Sequence, residues 1–372
     1  MSYEVVQPID TDDGAERNAE APSPIVEIQK IPGLPKGFFN AAACKLNDDP
    51  SSPTLLLGRY IDSNAEPNDS IVDVSSLDVA TLINNTAVSF KEVWRPEEGR
   101  AGDLLEDPRF VELPDGRIFT GFTRLAQHEG KYLWFPAVSI SSPEALFRGE
   151  FPQTHIITGL GSGDQTTPIG EGRNRFHVLE GKNTMPLKSN LAMFRHEADS
   201  HRFIVFSAQE NGEAQALQYL EIPKAEIPFW GWTRMGLTMP PLWRSEREAL
   251  LFIHGYNVTE EKYKYHVGTS RLIVDKSGRY RIDNVSQEPL LAPESFKDMF
   301  PGEQVERHPE IREALYLCGG IPIYDAYGNL KFIDLYPSIG DTYTVKATVS
   351  VPEITASWAR REAYGQAQPT AA

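Results

Sequence analysis

Three observations in the sequence predict an all-β protein, a five-bladed β-propeller. Short apolar runs of strand length recur along the chain, tight turns punctuate them, and polar residues suited to chemistry return at a steady interval. The runs are Thr54–Tyr60, Arg117–Thr123, Lys131–Phe135, Arg202–Phe206, Ala249–His254 and Leu330–Tyr336. Pro114-Asp115-Gly116 and Tyr327-Gly328-Asn329 are the clearest turns, since glycine supplies the positive φ that a tight hairpin needs. Sustained helical periodicity is missing, and only Ser76–Ile83 and Pro293–Met299 read as short helices. The polar residues are Asn40, Glu106 with Asp107, Lys182 with Asn183, His254 and Asp341, spaced about 65 to 90 residues apart. In a propeller each blade turns its innermost strand toward a central channel, so one such residue per blade would converge on the axis. A large β-sandwich with the same residues scattered over its surface is the alternative architecture.

With 372 residues, 40% of them hydrophobic, the chain can bury a large core. Residues 1–24 are acidic and rich in Asp, Glu, Ala and Pro, and read as a disordered segment; 25–355 read as one propeller domain and 356–372 as a loosely ordered tail. The net charge of −16, from 52 acidic against 36 basic residues, disfavours nucleic acid as a partner, because phosphate backbones are held by clustered Lys and Arg. No window reaches the roughly 20 apolar residues of a membrane span, and the N-terminus lacks the basic start and apolar run of a signal peptide. A cytoplasmic protein is the expectation. Cys44 and Cys318 lie far apart and read as buried thiols.

The chemistry-bearing residues fall into clusters. Glu106-Asp107-Pro108-Arg109 reads either as an ordinary surface turn or as a positioned acid, Pro108 restricting Asp107 to extended backbone. An acid held in that way could protonate a leaving oxygen. Lys182-Asn183 stands in a turn, where a lysine is commonly a solvated surface group. Arg195 ends an apolar strand, where a guanidinium wants an anionic or carbonyl partner such as phosphate or sugar oxygens. His254 closes the run Leu250–Ile253 before Gly255, which suits a structural histidine as well as a functional one; His196, His201 and His266 have no zinc-ligand spacing, so no metal is expected. Gly159-Leu160-Gly161-Ser162-Gly163 lacks the Lys-Ser/Thr of a phosphate loop, and no Gly-x-Ser-x-Gly elbow occurs.

Taken in order, these segments resemble the β-mannoside phosphorylases and mannosidases of glycoside hydrolase family 130, from about Phe38 to Val351. Leu105-Glu106-Asp107-Pro108-Arg109-Phe110 is similar to the family's Glu-Asp-Pro-Arg motif, and Phe252-Ile253-His254-Gly255 to its Tyr-His-Gly strand end. Phe39-Asn40-Ala41 and Leu57-Gly58-Arg59-Tyr60 resemble first-blade segments, Lys182-Asn183 with Arg195 the third-blade basic cluster, and Leu317-Cys318-Gly319-Gly320 with Gly340-Asp341-Thr342 the last blade. The resemblance implies a five-bladed propeller and an inverting mechanism in which Asp107 is the general acid, acting through a hydroxyl of the bound mannose. It further implies that Asn40, Arg59, Lys182, Arg195 and His254 surround an attacking phosphate. Asp341 would hold mannosyl hydroxyls, with Glu106, Arg109 and Asn183 completing the substrate site.

The implied partners are a β-linked manno-oligosaccharide and inorganic phosphate as co-substrate, with no other cofactor; homo-oligomerisation is left open. An inverting hydrolase needs a second carboxylate as base, whereas a phosphorylase replaces water and base with an anion held by cations. Glu171, Glu180 and Glu210 are candidate bases for the hydrolytic alternative, and a silent glycan- or protein-binding propeller is the alternative outside enzymology. Departures from the family pattern are Ala41-Ala42, Tyr336-Pro337-Ser338 and Trp243. Trp230, Trp232 and Tyr256 are candidate sugar-stacking aromatics.

Overall fold

The computed structural model describes residues 23–358 apart from 48, 50, 63–74, 97–103, 129–130, 161–166, 170–175, 198–200, 260–261 and 302–313. Five antiparallel sheets arranged in a ring form a five-bladed β-propeller, as the sequence predicts. The innermost strands are Phe38–Lys45, Leu104–Glu112, Gly181–Lys188, Arg234–Leu237 and Leu315–Tyr324, one for each blade in chain order. The fifth blade is completed by the N-terminal strand Ile25–Lys30, which pairs antiparallel with Tyr343–Ser350, so the two ends of the folded chain close the ring.

Strand periodicity explains why the ring forms. Successive side chains of a strand point to opposite faces, and here both faces of the middle strands meet a neighbouring blade. Leu55 and Leu57 face Leu105, Phe110 and Phe122 of the second blade, while Leu56 between them faces Ile321 and Tyr336 of the fifth. Phe203 and Val205 pack on the fourth blade with Leu251 and Ile253, whereas Ile204 and Phe206 pack on the second with Phe119 and Val138. The fourth and fifth blades meet through Phe252, Val267, Leu317 and Leu335. Apolar clusters therefore fill all five seams, and sheets buried on both faces read as continuous apolar runs. The outermost strands, such as Ala214–Glu221, alternate between half-buried and exposed positions because only one face is covered.

Two expectations need correction or extension. Ser76–Ile83, expected to be a short helix, is the third strand of the first blade, paired on both sides with Thr54–Tyr60 and Thr86–Trp94. A short apolar run buried on both faces has no periodicity to separate strand from helix. Pro293–Met299 does form a short helix, of the 3-10 type. Pro143–Phe147 adds an α-helix capped by Ser142. Residues 351–358 form another helix, and Ile354 and Trp358 on it join the core between the fourth and fifth blades. The domain boundary expected at 355 falls inside this helix; residues 1–22 and 359–372 lie outside the described residues.

Candidate active site

A repeated backbone device aims polar side chains from the innermost strands. Pairing between the first two strands of a blade shifts register at Phe39/Ala42, at Glu106/Arg109 and at Lys182/Met185, each a β-bulge. At each bulge one Asn or Asp takes left-handed backbone geometry, Asn40 at φ 52°, Asp107 at φ 52° and Asn183 at φ 59°. Asn and Asp tolerate this region better than other residues with a side chain, and a bulge re-aims the side chain that it carries. Asp107 was expected to be extended because Pro108 follows it; the bulge overrides that preference. Arg109 donates to the Asp107 carbonyl at 2.6 Å and so holds the turn.

The bulges bring Asn40 and Asp107 together, with Asn40 Nδ2 donating to Asp107 Oδ1 at 2.9 Å across the seam between the first two blades. Asn40 N donates in turn to Ser338 of the fifth blade, and Asn183 N donates to Thr123 Oγ1 of the second at 3.0 Å. Arg109, fully buried, reaches from the second blade to the fourth, donating to the carbonyl oxygens of Leu237, at 3.1 Å, and Thr238. Its guanidinium lies 4.0 Å from Asp107 Oδ2. Arg109 is thus spent on the protein itself, and it fixes the acid rather than facing solvent.

The remaining residues reach the same place by other routes. His254 and Asp341 were expected on innermost strands and are not. His254 stands on the second strand of the fourth blade opposite Gly236, and its ring crosses that glycine: a Cβ on Gly236 would lie 2.5 Å from both His254 Nε2 and Asn183 Oδ1. Asp341 occupies the turn between Leu330–Ile339 and Tyr343–Ser350, at φ 50°. Arg59, on the second strand of the first blade, feels the charges of Glu106, Asp107 and Asp341. Lys182 and Arg195 are direct register partners in the third blade, and Lys182 Nζ sits 3.5 Å from the centre of the Trp134 ring. All ten residues singled out from the sequence therefore converge near the channel.

The electrostatics differ from a simple ring of cations. Arg59 is paired with Glu106 at 3.1 Å and Arg195 with Glu197 at 2.8 Å. Burial lowers the pKa of Lys182, opposed by Glu106 and Glu197. Burial, together with Arg195 and Arg109, holds His254 well below the usual histidine range, so its imidazole is neutral near pH 7 and offers a hydrogen bond rather than a charge. The Tyr316 ring lies tilted against His254, with centres 4.8 Å apart, and Tyr265 lies tilted against Tyr316 at 5.1 Å. Sequence reasoning missed Glu197, Arg234, Tyr265, Tyr316 and Trp134; Arg and Glu two residues apart, as Arg195 and Glu197 are, carry no signature that separates a site from a surface.

Several buried polar atoms here have no protein partner: Asn40 Oδ1, Asn183 Oδ1, Arg59 Nε, Arg195 Nε and His254 Nδ1. Buried polar groups in folded proteins are almost always satisfied, so this cluster marks a place suited to a ligand rich in hydroxyl or anionic oxygens. Among the described residues no group of His, Cys, Asp and Glu is arranged to hold a metal ion. Of the candidate bases, Glu210 is an exposed surface partner of Arg117 at 2.6 Å and Glu180 accepts from Thr167 at 2.8 Å. Glu171 lies outside the described residues.

Other expectations resolve away from the site. Trp230 is a core residue beneath Gly255 and Gly268, while Trp232 is 64% exposed. Trp243 lines a cavity of about 910 Å³ among the far ends of the innermost strands, with Lys45, Glu112 and Tyr324. Cys44 and Cys318 are free thiols, both pushed up to about 12 by burial. No described helix is long and apolar enough to cross a membrane.

No protein-family model matches the chain, and no curated protein matches its sequence. Solved structures do match over nearly the whole length. One is described with the GH130 family of mannoside phosphorylases and the glycoside hydrolases within it that target β-1,2-mannosidic linkages in Candida mannan; it shares 15% identity at a TM-score of 0.55, over 93% of this chain and 96% of that one. The β-1,2-mannobiose phosphorylase of Listeria innocua, in complex with β-1,2-mannobiose, shares 14% identity at a TM-score of 0.53, over 87% and 92%. A glycosyl hydrolase from Bacteroides ovatus shares 15% at a TM-score of 0.54, over 85% of each chain. At these identities the likeness establishes the fold, a propeller of the kind that GH130 enzymes use.

Proposed function

We propose that this protein cleaves β-mannosides by inverting phosphorolysis, giving α-mannose 1-phosphate and a shortened acceptor. The observation that carries the reading is Asp107, held by Asn40 and Arg109 beside the cations Lys182 and Arg195 and a set of buried, unpartnered polar atoms. A phosphate oxygen attacks the anomeric carbon, the bond to the leaving oxygen breaks, and Asp107 supplies that oxygen's proton through a hydroxyl of the sugar. Neutral Asn40, Asn183 and His254 supply hydrogen bonds to the sugar and the anion, while Lys182 and Arg195 supply charge.

Hydrolysis on the same scaffold is the second reading, and Glu197 is the observation that favours it, as a carboxylate within the cation cluster. Burial acts to raise its pKa, but Arg195, Lys182 and Arg234 outweigh burial and hold it low, which makes Glu197 a weak base and supports phosphate over water. Incubation with β-linked manno-oligosaccharides, with and without phosphate, separates the readings. Phosphate-dependent mannose 1-phosphate is the expected product; free mannose regardless of phosphate would replace phosphorolysis with hydrolysis. Asp107→Asn is expected to lower turnover by about 10³-fold without unfolding the chain, since Asn adopts the same left-handed geometry. An absence of any product would leave a glycan-binding propeller.

A further inference from the structure

Glu197 bridges two blades. Its Oε2 accepts from Arg195 of the third blade at 2.8 Å, and its Oε1 accepts from Arg234, the first residue of the fourth blade's innermost strand, at 2.9 Å. Lys182, across from Arg195 in the strand register, is the third cation of the group. Three cations meet the Glu197 carboxylate at this seam, with Glu106 also acting on Lys182, and Arg195 Nε is buried without a partner. Glu197 engages the two guanidiniums as a phosphate would, one oxygen to each. An anion arriving there meets both the attraction of the cations and the repulsion of the carboxylate that they already hold.

We infer that Glu197 is a built-in competitor at the anion site and that Arg234 is one of its cationic ligands, the two together setting affinity for inorganic phosphate. This rests on the phosphorolytic reading and adds to it a residue pair that determines how tightly the co-substrate is held. The carboxylate also lies between two guanidiniums that would otherwise face each other as like charges.

The test is calorimetric titration of inorganic phosphate into the full chain, as wild type, Glu197→Gln, Arg234→Gln and the double variant, with thermal melts to verify folding. Glu197→Gln is expected to bind phosphate about tenfold more tightly and Arg234→Gln about tenfold more weakly, the scale of one partly buried charge interaction. The double variant should depart from the sum of the two, as contacting residues do. Structural damage alone does not tighten binding, so the gain in Glu197→Gln is the decisive readout; if that variant fails to fold, Glu197→Ala, which likewise removes the charge, should shift affinity in the same direction. Unchanged or weaker binding by folded position-197 variants, or unchanged binding by Arg234→Gln, would overturn the inference. Binding by Glu197→Gln but not by wild type would uphold it while removing phosphorolysis, and binding by neither would remove both.

Discussion

His254 illustrates how burial decides a residue's chemistry. In the sequence it suits a structural role as well as a functional one, and only the family resemblance puts it beside phosphate; burial and two nearby guanidiniums keep it neutral. With its folded pKa below the unfolded value of about 6.5, the unfolded state binds more protons as pH falls, so this group's contribution is complete above about 6.5 and is lost on acidification below it. Urea unfolding midpoints compared between about pH 7.5 and about pH 5.5 should fall more steeply for wild type than for His254→Gln. Equal slopes would mean that the ring is not buried in its neutral form. Asp107, by contrast, was legible at the residue scale, because its neighbours form a recognisable motif. Glu197 and Arg234 were not, because their partnership spans 37 residues and exists only once two blades meet.

Among the elements, the third strand of the first blade carries Asp78, 3% exposed and bonded to Ser76 Oγ at 2.5 Å. Burial raises its pKa to about 6, with Ser76 opposing and Glu92 assisting. The folded state therefore binds the proton more tightly, and the stability this gives is lost as pH rises through about 6. Asp78→Asn should raise the melting temperature at about pH 7.5 and change it much less at about pH 4, where the folded carboxyl is already neutral; scanning calorimetry at the two pH values checks this. Turn glycines such as Gly116 and Gly328, at φ 80° and 78°, were readable from their Pro-Asp-Gly and Tyr-Gly-Asn settings. The bulges at Asn40, Asp107 and Asn183 were not, since one unpaired residue within a strand leaves the apolar pattern on either side intact.

Over the whole molecule, close approach between blades is the limiting condition. A Cβ on Gly319 of the fifth blade would meet the first blade's backbone, 2.3 Å from Ala43 N and 2.7 Å from Ala42 C. Backbone cannot move aside as a side chain can, so Gly319→Ala should destabilise the protein by about 2 kcal/mol or more, read as a lower urea midpoint. Ring closure makes a related demand. Ile25 and Ile28 of the N-terminal strand pack on the core between the fourth and fifth blades, and Ile28 pairs with Ala347. Deleting residues 1–30 leaves Tyr343–Ser350 as an open edge, and a large fall in melting temperature with concentration-dependent aggregation is expected. An unchanged melt would show that the ring does not depend on this closure.

The strand-rich class, the five-fold recurrence of polar residues and the motif that singles out Asp107 are legible along the chain, because strand propensity, turn chemistry and short motifs are local properties. Folding brings about the rest: Arg59 and Arg195 are already paired, His254 is uncharged, Arg109 ties the second blade to the fourth, and Ser76–Ile83 is a strand. Each of those depends on which groups face one another across a seam and how far water is excluded from between them. Charge state and partner choice follow from that burial, and no local stretch of chain contains it.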